Sequence, residues 1–151
     1  MVRVLIQRVS KANVKIEDKT VGTINKGYLL LVGFSKSDDK IAVDKVINKI
    51  INLRIFEDAS NKMNLCIKDI GGSILSISQF TLYADYTSGK RPGFQDALKY
   101  EDAIKMYNYF NASLLNTGVN VEKGVFGAKM QVELINDGPV TIMIDSDFLK
   151  K

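Results

Sequence analysis

The stretch YLLLVGF, residues Tyr28–Phe34, is short and almost continuously apolar, and polar residues precede and follow it. An apolar run of this length is typical of a buried β-strand. Upstream, Val2–Val9 alternates apolar and polar residues, as a half-buried strand does. Asn13–Glu17 and Val21–Ile24 flank a polar turn and predict a hairpin. The stretch therefore predicts a central strand of a sheet that begins at the start of the chain.

The segment downstream of this strand predicts a helix and then a second strand. Apolar positions recur at helical spacing over Asp39–Asn52, and Ser37 or Asp38 is the expected N-cap. A polar loop around Asp58–Asn64 follows. Gly71 and Gly72 then interrupt the chain before Ser73–Leu82, a segment of high β-propensity that we expect to be a strand throughout.

The rest of the chain predicts one more helix and three short strands. Ala84–Phe94 is rich in loop residues, and Gln95–Asn116 has an apolar helical face. The expected strands are Val119–Val121, Lys129–Ile135 and Val140–Ile144. Between the last two strands, Asn-Asp-Gly predicts a hairpin turn that runs into a proline. About seven strands and two helices indicate the α+β class with a largely antiparallel sheet.

Composition excludes several classes of function. The 151 residues suit a single domain over residues 1–151, and they include no histidine and one cysteine, Cys66. These counts exclude a Ser-His-Asp triad, a Cys-His pair and a zinc site built on histidines or thiolates. One cysteine favours a reducing, cytoplasmic setting, and no apolar run reaches the ~18 residues of a membrane span. The net charge of +4 permits contact with phosphates.

Four segments carry candidate chemistry beside a simpler interpretation. SGKRPG at Ser88–Gly93 lacks the first glycine and the final hydroxyl residue of a P-loop, so it is a basic phosphate-contacting loop or a solvated turn. SQFTL at Ser78–Leu82 is ordinary strand sequence or a site with Thr81 as nucleophile, although no histidine is present to accept its proton. Two further segments, GVFGAKM at Gly124–Met130 and the Glu57-Asp58 pair, are each a turn unless Phe126 stacks on a base.

Taken together, segments along the whole chain resemble the D-aminoacyl-tRNA deacylases of the bacterial and eukaryotic type. SQFTL at Ser78–Leu82 and NDGPVT at Asn136–Thr141 correspond to the two signature motifs of that family. Tyr100, where many relatives have a proline, and Gly93, where a small polar residue is more usual, are departures outside both motifs. The other matching segments are VLIQRVSKANV (4–14), LRIFED (53–58), KMN (62–64), GKRPGF (89–94) and FGAKM (126–130).

The resemblance implies a cytoplasmic homodimer that hydrolyses the ester between a D-amino acid and the 3′ end of tRNA. Members of the family also remove glycine from mischarged tRNA. The implied fold has two sheets in a barrel-like arrangement with two flanking helices. Neither a metal nor an organic cofactor is implied, and the expected partners are D-aminoacyl-tRNA and a second copy of the chain.

The resemblance also assigns roles to residues at the dimer interface. The catalytic segment of one subunit faces the Gly-Pro bond of the other, which is cis in the family and excludes an L side chain. We expect Arg8 to hold this turn through a hydrogen bond to a carbonyl. The catalytic segment is Ser78, Gln79, Phe80 and Thr81; the filter is Gly138, Pro139, Val140 and Thr141; the adenosine pocket is Phe126, Gly127 and Met130; the tRNA contacts are Lys90 and Arg91.

Because histidine is absent, we expect the backbone and the substrate to supply the chemistry. Backbone N–H groups around Phe80 and Thr81 are candidates for an oxyanion hole, with the ribose 2′-hydroxyl orienting water and Thr81 as a positioning residue. The competing interpretation makes Thr81 a covalent nucleophile. The alternative function is a non-catalytic RNA-binding β-barrel module, and a structural dimerisation domain is a third.

Overall fold

The computed structural model of the protein describes residues 1–150, and within them the chain forms eight strands, two α-helices and two 3-10 helices. The strands are β1 (Arg3–Ile16), β2 (Lys19–Ile24), β3 (Gly27–Gly33), β4 (Phe56–Glu57), β5 (Met63–Leu65), β6 (Ser73–Ser78), β7 (Asn120–Lys123) and β8 (Gln131–Asp145). The helices are α1 (Lys40–Asn52) and α2 (Tyr100–Asn116), and the 3-10 helices are Phe80–Tyr83 and Ser146–Phe148. The α+β class and both helices are confirmed.

Strand β1 organises the main sheet because it is long enough to use both of its edges. One edge pairs with β8 from Arg3 to Lys15, and the other pairs first with β3 and then with β2, all antiparallel. The sheet continues from β3 to β6 and β7 through parallel pairs, which the sequence did not predict. A Cβ on Gly22 in β2 would lie 3.2 Å from the Lys123 carbonyl in β7, so the sheet curls into a barrel-like shape. A second sheet consists of β4 and β5.

The two faces of the curled sheet bury separate cores because side chains alternate along each strand. In β3, Tyr28 and Leu30 pack with residues of α1 and α2 on one face, whereas Leu29 packs with Val14 and Leu75 on the other. All of these side chains are buried, and full burial of an aliphatic side chain contributes about 1.5–3 kcal/mol. Neither helix among residues 1–150 is long and apolar enough to span a membrane.

Both helices begin later than the sequence predicts. The N-cap of α1 is Asp39, whose Oδ1 accepts a hydrogen bond from the Ala42 N–H at 2.8 Å. Asp38 was an expected cap, but its carboxylate accepts from the Ser35 N–H at 2.6 Å and serves the preceding turn. The predicted start of α2 at Gln95 is wrong because residues before Tyr100 are held extended, with Leu98 N–H donating to the Phe34 carbonyl at 2.9 Å.

Several predicted strand boundaries are also wrong. Val2–Val9 and Asn13–Glu17 belong to one strand, because β1 continues past its bulges by changing partners. The expected loop Asp58–Asn64 includes most of the bend between β4 and β5 and the first residues of β5. The predicted hairpin at Asn136–Pro139 is absent, since β8 is one strand through this region. In its place, residues 137–140 bulge out opposite Arg8, between the pairs Val9–Asn136 and Gln7–Thr141.

Candidate active site

The SQFTL segment leaves the sheet after its first residue. The Gln79 N–H donates to the Val32 carbonyl at 2.7 Å, and β3 ends one residue later at Gly33. With no further partner in β3, the chain turns into the 3-10 helix Phe80–Tyr83. The predicted strand through Leu82, with alternating faces over Ser78–Tyr83, is therefore wrong. Gly33 permits this turn because a Cβ there would lie 2.9 Å from the Gln79 carbonyl.

The turn presents two backbone donors. The first N–H groups of a helix have no acceptor within the helix. Across the described part of the chain, the N–H groups of Phe80 and Thr81 donate to no other group. The side-chain amide of Gln79 donates a hydrogen bond to the Thr81 hydroxyl, which fixes that hydroxyl beside the donors. The arrangement has the form of an oxyanion hole, in which preorganised N–H groups meet a developing negative charge.

A cavity of about 810 Å³ opens beside this turn. Ser78, Gln79 and Phe80 line it on one side, and the three residues predicted to border an adenosine pocket line it on another. Thr81 is exposed next to the cavity and is not among its lining residues. The three predicted pocket residues are Phe126, Gly127 and Met130.

Aromatic rings form two walls of this cavity. Phe80 is 57% exposed, and its ring lies edge-on to Phe94 with centroids 4.9 Å apart. Tyr100 is 58% exposed and lies edge-on to Phe126 at 5.2 Å. Gly127 has φ +77°, and a Cβ there would meet the Tyr100 ring at 2.9 Å. Flat apolar walls of this kind suit a nucleobase, because every base has a face that stacks on an aromatic ring.

The bulge in β8 is held by side chains from both of its flanks. Arg8 is 4% exposed and donates from Nε to the Asp137 carbonyl at 2.8 Å and from Nη1 to the Ile55 carbonyl at 2.7 Å. The contact predicted for Arg8 is thus present. The Asn136 side chain accepts from the Val140 N–H at 2.8 Å, and the Thr141 hydroxyl donates to Gln7 at 2.8 Å.

The bulge exposes main-chain atoms at its tip. The Gly138–Pro139 peptide bond is cis, as the resemblance implies, and Gly138 has φ +146°. A Cβ at this glycine would lie 2.8 Å from the Val140 N atom and 3.1 Å from Nη2 of Arg8, so only glycine fits without a shift. None of the described residues that line the cavity belongs to the bulge. Within one chain, the catalytic segment and the predicted filter are therefore separate.

Tyrosine hydroxyls near the turn stay protonated. Burial raises the pKa of Tyr83, whose hydroxyl donates to the Met1 carbonyl. Burial also raises the pKa of Tyr107, which donates to the Ser76 carbonyl at 2.7 Å, and its ring packs against Phe126. Neither tyrosine is a general base near neutral pH, because each would have to lose a proton that burial retains.

The loop between the turn and α2 carries the two cations predicted to contact tRNA. The Asp85 and Gly93 backbones pair with each other at 2.7 and 2.8 Å, closing a turn with Lys90 and Arg91 near its tip. Both side chains are exposed, and neither lines the cavity. The cations that do line it are Lys36 and Lys99. Sequence reasoning missed them, along with Phe94, because only the fold brings the two segments together.

Comparison with known proteins is consistent with this geometry. The family model described as D-Tyr-tRNA(Tyr) deacylase matches residues 5–145. The chain belongs to the D-Tyr-tRNA(Tyr) deacylase family. A D-aminoacyl-tRNA deacylase from Listeria monocytogenes serotype 4a (strain HCC23) is 50% identical over 148 residues, covering 98% of each chain. The deacylase from serotype 4b (strain CLIP80459) is also 50% identical, over 99% of each chain.

Solved structures share the fold of this family member. A structure titled c-Myc DNA Unwinding Element Binding Protein superposes with a TM-score of 0.89 at 37% identity, covering 95% of this chain and 97% of that one. A structure titled as a probable eukaryotic D-amino acid tRNA deacylase superposes with a TM-score of 0.82 at 17% identity, covering 95% and 98%. At that identity the second likeness concerns the fold alone.

Proposed function

We propose that the protein hydrolyses the ester bond of D-aminoacyl-tRNA and releases free D-amino acid and tRNA. The observation that carries the proposal is the turn at Gln79–Thr81, where two backbone N–H groups without acceptors stand beside a cavity with aromatic walls. Membership of the deacylase family and the 50% identity to enzymes of that name support the same reaction. Aminoacyl-tRNA is used in the cytoplasm, so the reaction belongs there.

The chemistry follows from where the ester would lie. The terminal adenosine occupies the cavity against Phe126, Gly127 and Met130, with the ester carbonyl at the turn. Water adds to the carbonyl carbon, and the oxygen of the tetrahedral intermediate accepts hydrogen bonds from the N–H groups of Phe80 and Thr81. Each well-placed donor stabilises such an intermediate by about 3–4 kcal/mol. The bond to the ribose 3′ oxygen then breaks, and that oxygen takes a proton.

The proton transfers do not require histidine, of which the chain has none. An aminoacyl ester is an activated substrate, and the neighbouring 2′-hydroxyl orients the attacking water. Ser78 and Gln79 shape the turn, and Thr81 acts as a positioning residue through the hydrogen bond it accepts from Gln79. Full activity on tRNA ending in 2′-deoxyadenosine would remove the 2′-hydroxyl from this scheme, and an acyl-Thr81 ester trapped by rapid acid quench would establish covalent catalysis instead.

Selectivity for the D-isomer comes from the bulge of a second subunit in this proposal. The protein acts as a homodimer, and the carbonyls around Gly138 and Pro139 of the partner close the site, with Val140 and Thr141 on their flank. A main-chain wall held by Arg8 leaves no room for a side chain on the L face of Cα. Glycine has no side chain, so glycyl-tRNA is also a substrate. The separation of bulge and cavity within one chain supports a site shared between two subunits.

One assay tests the function directly. Purified protein is incubated with D-Tyr-tRNA and with L-Tyr-tRNA, and loss of the radiolabelled amino acid is followed over time. We expect release from the D-isomer and none above background from the L-isomer. Equal rates with both isomers would refute the filter. Binding of both without release would favour the second candidate, a nucleic-acid-binding module, which the exposed Phe80 and Tyr100 and one relative's name as a DNA-binding protein support.

A further inference from the structure

Two lysines stand at the rim of the cavity without a role in the proposed chemistry. Lys36 and Lys99 both line the cavity, and both side chains reach solvent. Among residues 1–150, neither ammonium group takes part in an ion pair. Two positive charges without a counterion beside a pocket of aromatic walls are suited to an anionic ligand whose other part is a ring system.

The backbone fixes the two lysines in neighbouring positions. Ser35 and Ala97 form an antiparallel bridge, so the segment that carries Lys36 runs beside the segment that leads to Lys99. The Lys36 N–H donates to the Asp96 carbonyl at 3.3 Å. The Lys99 carbonyl accepts from the Ala103 N–H at 2.8 Å, which ties this residue to the first turn of α2. Their stems are therefore anchored, while the side chains remain free to close on a ligand.

We propose that Lys36 and Lys99 bind the phosphate that joins the terminal adenosine to the preceding nucleotide of the tRNA 3′ end. This inference rests on the proposed function, since it takes the adenosine to lie against Phe126. A nucleoside in the cavity must send its 5′ oxygen out past the rim, and the rim is where these two charges lie. Lysine ammonium groups form charge-assisted hydrogen bonds with phosphate.

A second cavity indicates where this contact ends. It has a volume of about 770 Å³, shares Lys36 with the first cavity, and is lined by Asp85 and Asp96 among other residues. Hydrogen bonds from the Thr87 hydroxyl and N–H lower the pKa of Asp85, so this carboxylate is charged at neutral pH. Negative charge disfavours a further phosphate there. The polynucleotide therefore leaves towards solvent at Lys36 rather than continuing into the second cavity.

The test compares two small esters that differ in phosphate content. D-tyrosyl-adenosine carries no phosphate, whereas the D-tyrosyl ester of the trinucleotide CCA carries the linkage in question. In Lys36→Gln and Lys99→Gln we expect KM for the CCA ester to rise about tenfold for each lysine, in line with loss of a hydrogen bond to a charged group. The ratio of kcat/KM between the CCA ester and the adenosine ester should fall by the same factor, with kcat little changed.

Two controls identify the cause of such a rise in KM. Lys45→Gln removes an exposed cation from α1, away from the cavity, and should leave the KM for the CCA ester unchanged. Lys36→Arg and Lys99→Arg keep the charge and should retain most of the affinity. The slope of log KM against log salt should decrease by about 0.7 for each phosphate of a single strand that the variant no longer neutralises. Wild-type KM and wild-type salt slope in the Lys36→Gln, Lys99→Gln double variant would overturn the proposal.

Binding of uncharged CCA, the trinucleotide without an amino acid, separates this inference from the proposed function. Isothermal titration needs no hydrolysis, so it applies even if the protein cleaves neither ester and the proposed function fails. We expect the double variant to bind CCA at least about tenfold more weakly than Lys45→Gln does. Equal affinity in the two variants would overturn the role of the lysines whatever the outcome of the hydrolysis assay.

Discussion

At the scale of single residues, Thr81 offers two separate groups to a substrate. Its backbone N–H has no acceptor, and its hydroxyl accepts a hydrogen bond from Gln79. In Thr81→Ala the N–H remains and the hydroxyl is removed, so we expect kcat for D-Tyr-tRNA to fall about tenfold. Removal of a true nucleophile lowers kcat by about 10⁶-fold in a hydrolase. Single-turnover kinetics measure the difference.

A neighbouring threonine provides the control for this substitution. Thr87→Ala also removes an exposed hydroxyl, which donates to Asp85 at 2.6 Å, and should leave kcat within about twofold of wild type because surface changes have small effects. A fall in kcat in Thr81→Ala of the size expected for a nucleophile would contradict the positioning role.

Arg8 is the residue on which the shape of the β8 bulge depends. Replacement by alanine leaves the carbonyls of Ile55 and Asp137 without their donor, and an unsatisfied buried polar group costs about 1–3 kcal/mol. We expect Arg8→Ala to lower the free energy of unfolding in urea by about that amount and to reduce the D-to-L rate ratio. Arg54→Ala is the matched control, since Arg54 also donates to a carbonyl but is exposed. Unchanged D-selectivity in folded Arg8→Ala would exclude its role in the filter.

At the scale of elements, the 3-10 turn depends on the end of β3. A methyl group at Gly33 would meet the Gln79 carbonyl at 2.9 Å and the Tyr83 ring at 3.1 Å, and overpacking costs about 1–3 kcal/mol. We expect Gly33→Ala to displace the turn and to lower kcat more than it raises KM. At Gly93 the nearest atom to an added Cβ is 4.0 Å away, so Gly93→Ala should behave as wild type. Equal kcat in the two variants would show that the turn tolerates displacement.

The bend between β4 and β5 carries a pH-dependent contact. The Asp58 side chain accepts from the N–H groups of Lys62 and Ser60, and these bonds lower the pKa of Asp58. A lowered folded-state pKa means that the stabilisation is complete above the unfolded pKa of about 4 and disappears as pH falls through the folded value. We expect the urea midpoint to fall less between pH 5 and pH 2 in Asp58→Asn than in wild type, with parallel curves as the contradicting outcome.

The elements also show how far the sequence predicts the structure. Periodicity identified the buried strand at Tyr28 and both helices, because one apolar face is enough to reveal each of them. It extended the strand at Ser73 too far, since the end of β6 is decided by the length of β3, which is distant in sequence. The site was identified by motif resemblance. Its rim, with Lys36 and Lys99, was missed because it forms from two loops whose proximity no local pattern encodes.

At the scale of the whole molecule, the exposed face of β8 is a candidate surface for the proposed dimer. Ile135 and Met143 lie on this face, on either side of the bulge, and each is 50% exposed. Large apolar side chains on one exposed face mark interaction surfaces. We expect wild type to sediment as a dimer and Met143→Lys as a monomer with less deacylase activity per chain. Leu115→Lys, at an exposed apolar position on α2, should remain dimeric. A dimeric and fully active Met143→Lys would place the interface elsewhere.

The pairing of β1 with β8 has a consequence for synthesis on the ribosome. β1 is among the first residues translated, and its longest partner comprises residues 131–145. Until those residues emerge, one edge of β1 is an open template for other chains, and unpaired edges promote aggregation. Pulse proteolysis of stalled nascent chains should therefore find protection of β1 only after β8 is released. For this protein, the start of translation waits for its end before the first strand is secure.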